Sequence, residues 1–410
     1  MNAPAAHAPD SREQLALLAR GTVEVISEGA LLAKLEQGRP LRVKLGLDPT
    51  APDIHLGNAV VLQKLRQFQD LGHEAILVIG DFTGLIGDPS GRSETRPQLT
   101  RDAVERNAAT YREQYSRILD PARTRVVFNS EWLAPMRFED VIRLAGRATV
   151  HRLLERDDFA NRFREHLPIH LHELLYPLCQ AYDSVAIQAD VELGGTDQKF
   201  NNLMGRELQR EIGQEPQVVV LTPLLPGLDG VQKMSKSLGN AIGITEPPHT
   251  MYAKVMSIAD TLMIPYFEYC TLVPLEEVHV LEAALRAGTA HPRDVKQRLA
   301  HTITARHWGA AAADAAAAEF ARVFQQHERP EEIPEVTLSR GQASNGTMRL
   351  TRLLVALGLA PSNTEARRLI GQGGVTLDDQ RASGDVDVPV RDGLVVRVGR
   401  RRFAKVRLTA

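Results

Sequence analysis

Short apolar runs alternate with amphipathic segments through the first half of the chain. Residues 41–45 alternate between apolar and basic side chains and residues 74–80 are almost continuously apolar, and both patterns are typical of strands, whereas residues 59–68 place apolar side chains at helical spacing. Further strands are predicted at residues 125–128, 184–191 and 218–221. Because helical segments separate these strands, the pattern predicts a parallel α/β sheet, in which ligands bind at the carboxyl ends of the strands.

The second half of the chain follows other patterns. Residues 245–327 carry helical signals throughout, whereas residues 329–346 are rich in proline, glycine and polar side chains, as linkers are. The remaining residues predict two short helices and several short strands. The predicted segments are 1–36 (an N-terminal helical lead-in), 37–243 (the α/β domain, with a helical insertion at about 140–180), 244–328 (an α-helical domain), 329–346 (a linker) and 347–410 (a small α+β domain).

The charge of the chain is unevenly distributed. The whole chain has a net charge of -2, but residues 347–410 contain twelve Arg and Lys against six Asp and Glu. A basic domain on an acidic body predicts a polyanionic partner for that domain. The two cysteines, Cys179 and Cys270, are too far apart in sequence to indicate a disulfide framework or a zinc site, so we expect a reducing, cytoplasmic compartment. No run of about 18 apolar residues occurs, and no membrane span is expected.

A loop rich in turn residues, 46–58, joins the first predicted strand to the helix at 59–68. His55 and Gly57 lie where that helix begins, and helix N-termini attract anions because their N–H groups are free. His55 supplies a donor for a phosphate oxygen, and Gly57 leaves room for a ligand to lie close. An ordinary turn with a surface histidine shows the same short pattern, so this loop alone leaves both interpretations open.

A second loop of interest follows the last predicted strand of the sheet. Its sequence is Lys233-Met234-Ser235-Lys236-Ser237. Small residues allow such a loop to move, and its two ammonium groups can neutralise a triphosphate. A solvated surface loop is the alternative for the isolated pattern, but the two loops together favour a nucleotide site.

These loops resemble the signatures of one family, the class I aminoacyl-tRNA synthetases. Residues 55–58 stand at its His-Ile-Gly-His signature, and residues 233–237 match its second signature letter for letter. Blocks at residues 84–91, 176–183 and 194–198 resemble the bacterial tyrosyl-tRNA synthetases within that family. The resemblance covers nearly the whole chain. It implies a Rossmann-like parallel-sheet catalytic domain, followed by an α-helical domain on the anticodon side of the tRNA and a small S4-like RNA-binding domain.

The implied activity is that of a tyrosine–tRNA ligase. Such an enzyme activates L-tyrosine with ATP to tyrosyl-adenylate and transfers the tyrosyl group to the 3′ end of tRNA(Tyr) for protein synthesis. Mg²⁺ is expected to accompany ATP, and no protein ligand for a metal is assigned.

One predicted helix face carries the residues expected to bind tyrosine. Tyr176, Gln180 and Asp183 are spaced i, i+4 and i+7, so a phenol, an amide and a carboxylate project together. The resemblance implies that Asp183 accepts a hydrogen bond from the substrate phenol. It also implies that Tyr176, Gln180 and Asp88 hold the substrate ammonium group. A buried hydrogen-bond cluster without a ligand is the alternative.

The resemblance assigns ATP to the two signature loops and to the glycine turn at 194–195. The residues expected to bind ATP are Asp48, His55, Gly57, Asn58, Gly195, Asp197, Lys233, Met234, Ser235, Lys236 and Ser237. Among them, Asp197 is expected to bind the ribose hydroxyls. The residues expected to stabilise the developing charge in catalysis are Thr50, His55, Asn58, Lys233 and Lys236.

The basic tail resembles the S4 RNA-binding module. The arginines expected to contact RNA phosphates are Arg349, Arg352, Arg367, Arg368, Arg400, Arg401 and Arg402. A solvated charged surface is the alternative, but the excess of positive charge in so short a domain favours RNA.

The predicted insertion contains more apolar side chains than a pair of exposed helices needs, which predicts a partner surface. The side chains concerned are Leu153, Leu154, Phe159, Phe163, Leu167 and Leu171. Together with the resemblance, they lead us to expect a homodimer.

Two positions depart from the family pattern. Asn58 stands where the signature has its second histidine. The asparagine amide keeps a hydrogen-bond donor at this position, but it does not titrate as a histidine does. Lys44 stands where many tyrosyl enzymes place a tyrosine that touches the substrate phenol, so part of the hydroxyl-recognition set stays open.

Two other functions remain as alternatives. A tryptophanyl-tRNA synthetase is one, because a carboxylate also accepts an indole N–H, although the S4-like tail and the Tyr176, Gln180 and Asp183 face argue against it. A non-catalytic RNA-binding paralogue is the other, and the intact loop at 233–237 argues against that.

Overall fold

The computed structural model of the chain describes residues 9–49, 53–90, 99–324, 333–339, 341, 346–378, 380–399 and 402–409, without the side chains of Arg112, Ser237 and Phe324. The chain divides into two units, Met1–Ala310 and Ala311–Ala410. None of the helices in the described ranges combines the length and the apolarity that a membrane span requires.

A six-stranded sheet organises the first unit. Its strands are β1 (Glu24–Ile26), β2 (Arg42–Leu47), β3 (Glu74–Ile79), β4 (Thr124–Phe128), β5 (Val191–Gly195) and β6 (Val218–Thr222). Their order in the sheet is β1-β6-β5-β2-β3-β4, and all neighbours are parallel except β1 and β6. The predicted parallel α/β sheet is therefore confirmed.

Fifteen α-helices of the described residues lie within the first unit. They are α1 (Ser11–Ala19), α2 (Glu28–Glu36), α3 (Leu56–Asp70), α4 (Thr83–Ile86), α5 (Arg101–Tyr115), α6 (Ser130–Leu133), α7 (Phe138–Ala145), α8 (Val150–Leu154), α9 (Asp157–Arg164), α10 (Leu171–Ile187), α11 (Lys199–Glu211), α12 (Pro248–Ser257), α13 (Met263–Cys270), α14 (Leu275–Arg286) and α15 (Pro292–Trp308). Buried apolar side chains of α3, among them Leu62, Leu65 and Phe68, pack this helix onto β2, β3 and β5. Helix α10 packs against β2 and α11.

The strand predicted at residues 184–191 is wrong. Its first residues belong to α10, which ends at Ile187 where Gln188 turns the chain with a φ of 51°. The strand β5 begins only at Val191, where the backbone pairs with β2 and β6. An apolar run as short as 185–187 fits a buried helix as well as a strand, so long-range pairing decides its structure.

Two strands lie where other structure was predicted. The strand β1, in the predicted helical lead-in, forms the antiparallel edge of the first sheet, with Val25 opposite Val220. In the second unit, a strand at Glu335–Ser339 lies within the predicted linker and pairs in parallel with residues 405–409. In both cases the pairing partner is distant in sequence, so the local pattern carries no signal for it.

The second unit is a small α+β structure, as predicted. Its helices are α16 (Ala310–Phe324, whose first residue is the last of the first unit), α17 (Leu350–Ala356) and α18 (Asn363–Gly371). Its strands are β7 (Glu335–Ser339), β8 (Thr347–Arg349), β9 (Val375–Leu377), β10 (Gln380–Arg381), β11 (Asp387–Pro389), β12 (Val395–Val398) and β13 (Arg402–Thr409). Five strands form a sheet in the order β10-β9-β12-β13-β7, and β11 pairs with β8. Its core includes Leu350, Leu353 and Leu354 of α17.

The sheet order of the first unit determines where its loops meet. The strands β5, β2 and β3 are adjacent and parallel, so the loops that follow them emerge at one edge. The loops after β2 and β3 contain the first signature and the glycine-rich block after residue 80. Gly194 and Gly195, which were predicted to form a turn, are instead the last residues of β5 and pair with β6, and Asp197 follows in a 3₁₀ turn.

Candidate active site

A cleft of about 740 Å³ opens at the carboxyl ends of β2, β3 and β5. Most of the residues that the sequence predicts for the site line this cleft. They are Asp48, His55, Gly57, Asn58, Asp88, Tyr176, Gln180, Asp183, Gly195, Asp197, Lys233, Met234 and Ser235. The parallel sheet thus brings together blocks that lie up to about 190 residues apart in sequence, as strand-end sites do.

His55 is the N-cap residue of α3, and the side chains of His55 and Asn58 cap the start of the helix reciprocally. The His55 Nδ1 accepts the backbone N–H of Asn58 at 3.3 Å, and the Asn58 Oδ1 accepts the backbone N–H of His55 at 3.3 Å. Because Nδ1 is an acceptor, the neutral ring carries its proton on Nε2. Burial, and then the charges of Lys236 and Lys233, lower the pKa of His55 to about 4. At neutral pH the imidazole is therefore an uncharged donor in the cleft.

Two glycines make room in this part of the cleft. A Cβ on Gly57 would lie 3.1 Å from the ring of His55 and 3.4 Å from the Cβ of Met234. A Cβ on Gly195 would lie 2.8 Å from both the Asp197 Oδ1 and the Leu224 Cδ2. Both contacts are tight, so side chains at these positions would narrow the cleft where the signature loops face each other.

The lysines of the second signature pair with carboxylates. The Lys233 Nζ lies 2.7 Å from the Asp197 Oδ2, and Lys236 forms an ion pair with Asp53. Lys236 is not among the residues that line the cleft. Asn240, which sequence reasoning missed, supports the loop, because its Oδ1 accepts the N–H of Ser235 at 2.8 Å.

Asp48 and Asp88 are held by neighbouring donors. Asp48 accepts hydrogen bonds from the Tyr176 hydroxyl at 2.8 Å and from the Thr83 hydroxyl at 2.7 Å. Asp88 accepts hydrogen bonds from the Gln198 Nε2 at 2.8 Å and lies 3.4 Å from the buried Arg156 guanidinium. Both carboxylates therefore have defined positions in the cleft, which is a condition for binding a positively charged group such as an ammonium.

Asp183 is a buried carboxylate in the cleft. Its Oδ1 accepts the indole N–H of Trp132 at 2.8 Å, and its Oδ2 accepts the amide of Asn129 at 3.4 Å. Burial raises the pKa of Asp183 to about 7, against the opposing charge of Lys44 and these two hydrogen bonds. Sequence reasoning missed both donors. A signal existed only for Asn129, a polar residue directly after a predicted strand.

Lys44 is fully buried and makes an ion pair with Glu192 at 2.8 Å. Its Nζ also donates to the Ser184 Oγ and to the Gln180 carbonyl oxygen. The position where many tyrosyl enzymes place a tyrosine is therefore occupied by a charge that is bonded to the α10 helix.

Three predicted site residues and one side chain fall outside the described part of the chain. Thr50, Arg400 and Arg401 are not described, and neither is the side chain of Ser237.

In the second unit, the described arginines expected to contact RNA are exposed. They are Arg349, Arg352, Arg367, Arg368 and Arg402. Arg349 pairs with Asp385 at 3.3 Å and Arg368 with Glu365 at 2.6 Å, and the Arg402 Nη1 donates to the Leu359 carbonyl oxygen at 2.7 Å.

The helices α7 to α10 expose large apolar side chains. The exposed set is Phe138 (79%), Ile142 (56%), Val150 (60%), Phe163 (64%) and Leu171 (77%). Two residues of the predicted partner surface, Leu153 and Phe159, are instead buried, at 5% and 0%. Leu153 packs with α10 and α11 residues, so it belongs to the core of the unit.

Comparison with known proteins gives two family matches. Residues 36–325 match the tRNA synthetases class I (W and Y), and residues 348–393 match the S4 domain. The tyrosine–tRNA ligase of Moorella thermoacetica is 58% identical over 398 residues, which are 96% of this chain and 95% of the relative. That of Haemophilus influenzae is 53% identical over 399 residues, which are 97% of this chain and 98% of the relative.

A solved structure is also similar. The crystal structure of tyrosyl-tRNA synthetase from Archaeoglobus fulgidus, complexed with L-tyrosine, has a TM-score of 0.62 and a sequence identity of 25%. The match covers 75% of this chain and 100% of that chain.

Proposed function

Because this chain belongs to the class I tRNA synthetases of the tryptophan and tyrosine group, and within it to the bacterial tyrosyl-tRNA synthetases, we propose that its cleft ligates tyrosine to tRNA. The tyrosine carboxylate attacks the α-phosphorus of ATP, a new P–O bond forms, and pyrophosphate leaves. A ribose hydroxyl at the 3′ end of tRNA(Tyr) then attacks the acyl carbon, and AMP leaves. Position and charge stabilisation carry both steps.

Asp183 is the observation that carries the choice of tyrosine. An ionised carboxylate offers about four acceptor sites, and Trp132 and Asn129 supply one hydrogen bond to each oxygen. The remaining capacity can accept the hydroxyl of a phenol. A substrate without that hydroxyl leaves part of the acceptor capacity of this buried carboxylate unsatisfied, which selects against phenylalanine.

The ammonium group of tyrosine meets hydrogen-bond acceptors on the same side of the cleft. Tyr176, Gln180 and Asp88 bind the substrate ammonium group in this proposal. Asp48 holds the Tyr176 hydroxyl, and Arg156 and Gln198 hold Asp88. The substrate is thus gripped at the phenol and at the ammonium, which leaves its carboxylate directed towards ATP.

ATP occupies the part of the cleft between the two signature loops. The Nε2–H of the neutral His55 donates a hydrogen bond to a phosphate oxygen, together with the side-chain amide of Asn58 and the backbone N–H of Gly57 in the first turn of α3. Asp197 binds ribose hydroxyls when ATP is bound. The ion pair between Lys233 and Asp197 therefore opens and Lys233 binds the phosphates, and Lys236 likewise exchanges Asp53 for the phosphates. Gly57, Gly195, Met234, Ser235 and Ser237 shape the nucleotide site, and Thr50 adds a further donor in the first loop.

Mg²⁺ accompanies ATP in this proposal and neutralises phosphate charge. No group of three or more His, Cys, Asp or Glu side chains able to hold a metal ion occurs within the described ranges. We therefore assign the ion to the phosphates and name no protein ligand.

The remaining parts of the proposal concern partners. The arginines of the S4 domain bind tRNA phosphates, and the helices of residues 244–328 take the anticodon side. The exposed apolar side chains of α7 to α10 form the contact of a homodimer, because side chains such as Phe138 and Leu171 would otherwise remain in water. The enzyme acts in the cytoplasm, where tRNA is charged.

Amino-acid-dependent exchange of pyrophosphate into ATP tests the proposal. Across the standard amino acids, we expect exchange with tyrosine and none above background with phenylalanine. Exchange driven by tryptophan instead would show the tryptophan enzyme. RNA binding with no exchange for any amino acid would show a non-catalytic paralogue.

A further inference from the structure

A buried ion pair lies beneath the tyrosine end of the cleft. Lys44 on β2 and Glu192 on β5 are direct cross-strand neighbours, and the Lys44 Nζ lies 2.8 Å from the Glu192 Oε1. The two side chains are 0% and 1% exposed. Two residues further along each strand, on the same face of the sheet as the pair, Gly46 and Gly194 line the cleft. The pair therefore supports the wall of the site.

The ammonium of Lys44 is fully used by protein acceptors. It has three N–H donors, and besides Glu192 it contacts the Ser184 Oγ at 2.8 Å and the Gln180 carbonyl oxygen at 3.0 Å. Both of these acceptors lie on α10, the helix that carries the tyrosine-binding face. Lys44 thus ties the central strand to the turn of α10 between Gln180 and Ser184.

The carboxylate of Glu192 holds the same turn. Its Oε1 accepts the Gln180 Nε2 at 3.2 Å, and its Oε2 accepts the Ser184 hydroxyl at 3.3 Å. The Gln180 Oε1 in turn accepts the amide of Asn201 at 2.9 Å. Because one end of the Gln180 amide meets an acceptor and the other a donor, its orientation is fixed.

Stability alone does not explain a charged pair at this place. Removing two charges from water costs several kcal/mol each, and apolar residues of the same size are often as stable in such positions or more so. Polar side chains surround the pair on its face of the sheet, because Ser184, Gln180 and Gln217 are all hydrogen-bonded to it. A buried charged pair that is bonded to a substrate-binding side chain indicates a role in the site.

We propose that Lys44 and Glu192 are positioning residues that hold Gln180 and the adjoining turn of α10 in the geometry that binds tyrosine. This inference rests on the proposed function. Neither residue touches the substrate. They act through Gln180, and through the turn that also carries Asp183.

The combined substitution Lys44→Met and Glu192→Met in the full-length chain tests this role. It removes both charges together and keeps both side-chain volumes, so no buried charge is left without its counter-charge, and the melting temperature should fall less than for either single substitution. In pyrophosphate exchange, we expect KM for tyrosine to rise about tenfold or more while KM for ATP stays within about twofold. A folded double variant with the native KM for tyrosine would overturn the proposal.

A milder variant keeps the test decisive if the double variant does not fold. Ser184→Ala removes the hydroxyl that bridges Lys44 and Glu192 and leaves the ion pair in place. Loss of one buried hydrogen-bonding group is worth about 1 kcal/mol, so KM for tyrosine should rise about fivefold with KM for ATP unchanged. An equal rise in both constants, or in neither, contradicts a positioning role.

Lys34→Met is the matched control. Lys34 is also buried, at 2%, and pairs with Glu215 at 2.8 Å, but Glu215 lies before β6, at the amino end of the sheet and away from the cleft. We expect a lower melting temperature and the native KM for tyrosine. A rise in KM equal to that of the double variant would show that loss of any buried lysine acts, and the proposal would fail. Absence of tyrosine-dependent exchange in the unmodified chain would instead refute the proposed function itself.

Discussion

The two ends of the cleft are built from different kinds of contact. At the end proposed to bind tyrosine, Asp183, Gln180 and the pair Lys44 and Glu192 are buried and bonded to one another or to buried neighbours. Near the end proposed to bind ATP, Lys233 lines the cleft and Lys236 lies outside its lining, and these lysines are 36% and 31% exposed. Their partners, Asp197 and Asp53, are also partly exposed, at 20% and 41%.

This difference separates recognition from reaction. Buried polar groups that already satisfy one another cannot change partners without a large cost, so they suit a small substrate of fixed shape. Exposed ion pairs contribute about 1 kcal/mol or less and exchange easily for phosphate oxygens. The structure therefore predicts specificity from the rigid end and charge stabilisation from the exchangeable end.

The largest expected effect comes from the exchangeable end. Lys236→Ala should lower kcat for adenylate formation by about 10²–10³, because it removes a donor to the developing phosphate charge. The melting temperature should hardly change, since the lost pair with Asp53 is exposed. Single-turnover formation of tyrosyl-adenylate measures the effect.

Lys199→Ala is the matched control for this change. Lys199 is likewise an exposed lysine paired with a carboxylate, Glu24, at 2.6 Å. It should keep native kinetics. If Lys236→Ala formed tyrosyl-adenylate at the native rate, the phosphates would have to bind elsewhere, and the proposed division of roles between the two ends of the cleft would be wrong.

The next largest effect concerns the rigid end. Asp183→Asn should lower kcat/KM for tyrosine by a factor of about 10–100, because a hydrogen bond to a charged group is worth about 1.5–3 kcal/mol. KM for ATP should stay near its native value. Asp190→Asn, a buried aspartate held by Arg39 before β5, should lower stability and leave KM for tyrosine unchanged. A parallel rise in both KM values for Asp183→Asn would mean that the two ends are not separate.

The raised pKa of Asp183 gives this end a pH signature. Above about pH 7 the carboxylate of Asp183 is ionised and can accept a hydrogen bond from the phenol O–H, whereas below about pH 7 the group is protonated. We expect kcat/KM for tyrosine to rise with pH towards a plateau above about 7. Lys44, Glu192 and the Cys179 thiol are the titratable groups that face this carboxylate. Because the folded pKa lies above the ordinary 3.8, Asp183 lowers stability as pH rises between these values, so Asp183→Asn should be relatively more stable at pH 8 than at pH 4.

A smaller and separate effect belongs to the second unit. Arg352→Ala combined with Arg367→Ala should raise KM for tRNA about tenfold and reduce the salt dependence of binding by about two units of slope, because two phosphate contacts are lost. Pyrophosphate exchange should not change. Arg407→Ala, an exposed arginine paired with Glu335, is the control. Changed exchange in the double variant would show that the tail affects the cleft.

The smallest expected effect sharpens the idea of exchangeable partners. Asp53→Asn removes the carboxylate that competes with ATP for Lys236, so KM for ATP should fall by a factor of about two to five, the value of an exposed ion pair. Steady-state exchange at varied ATP concentration measures it. A higher KM for ATP would show that Asp53 takes part in binding the nucleotide.

Sequence reasoning was most successful where a single helix or loop carries the information. The spacing of Tyr176, Gln180 and Asp183 on α10 and the helix start at His55 are local patterns, and the structure places all four side chains in one cleft. The parallel sheet followed from the alternation of strands and helices.

Sequence patterns did not predict the features that depend on contacts between segments far apart in the chain. Trp132 reaches Asp183 from 51 residues away, and no period in the sequence marks it. The strand β7 forms because β13 offers a partner, although its own residues read as a linker. The ion pair of Lys44 is visible only once β2 and β5 are known to be neighbours.

The reciprocal cap at the start of α3 limits which side chains can replace Asn58. The Asn58 oxygen accepts the backbone N–H of His55, so its NH₂ group is the part left for the proposed contact with ATP. The position therefore demands a side chain that accepts at one atom and donates at another. Asparagine and neutral histidine both do so, whereas aspartate only accepts and alanine does neither. An exchange between the histidine of the family signature and this asparagine keeps both tasks, so the departure can be read as a substitution within the small alphabet that the site allows.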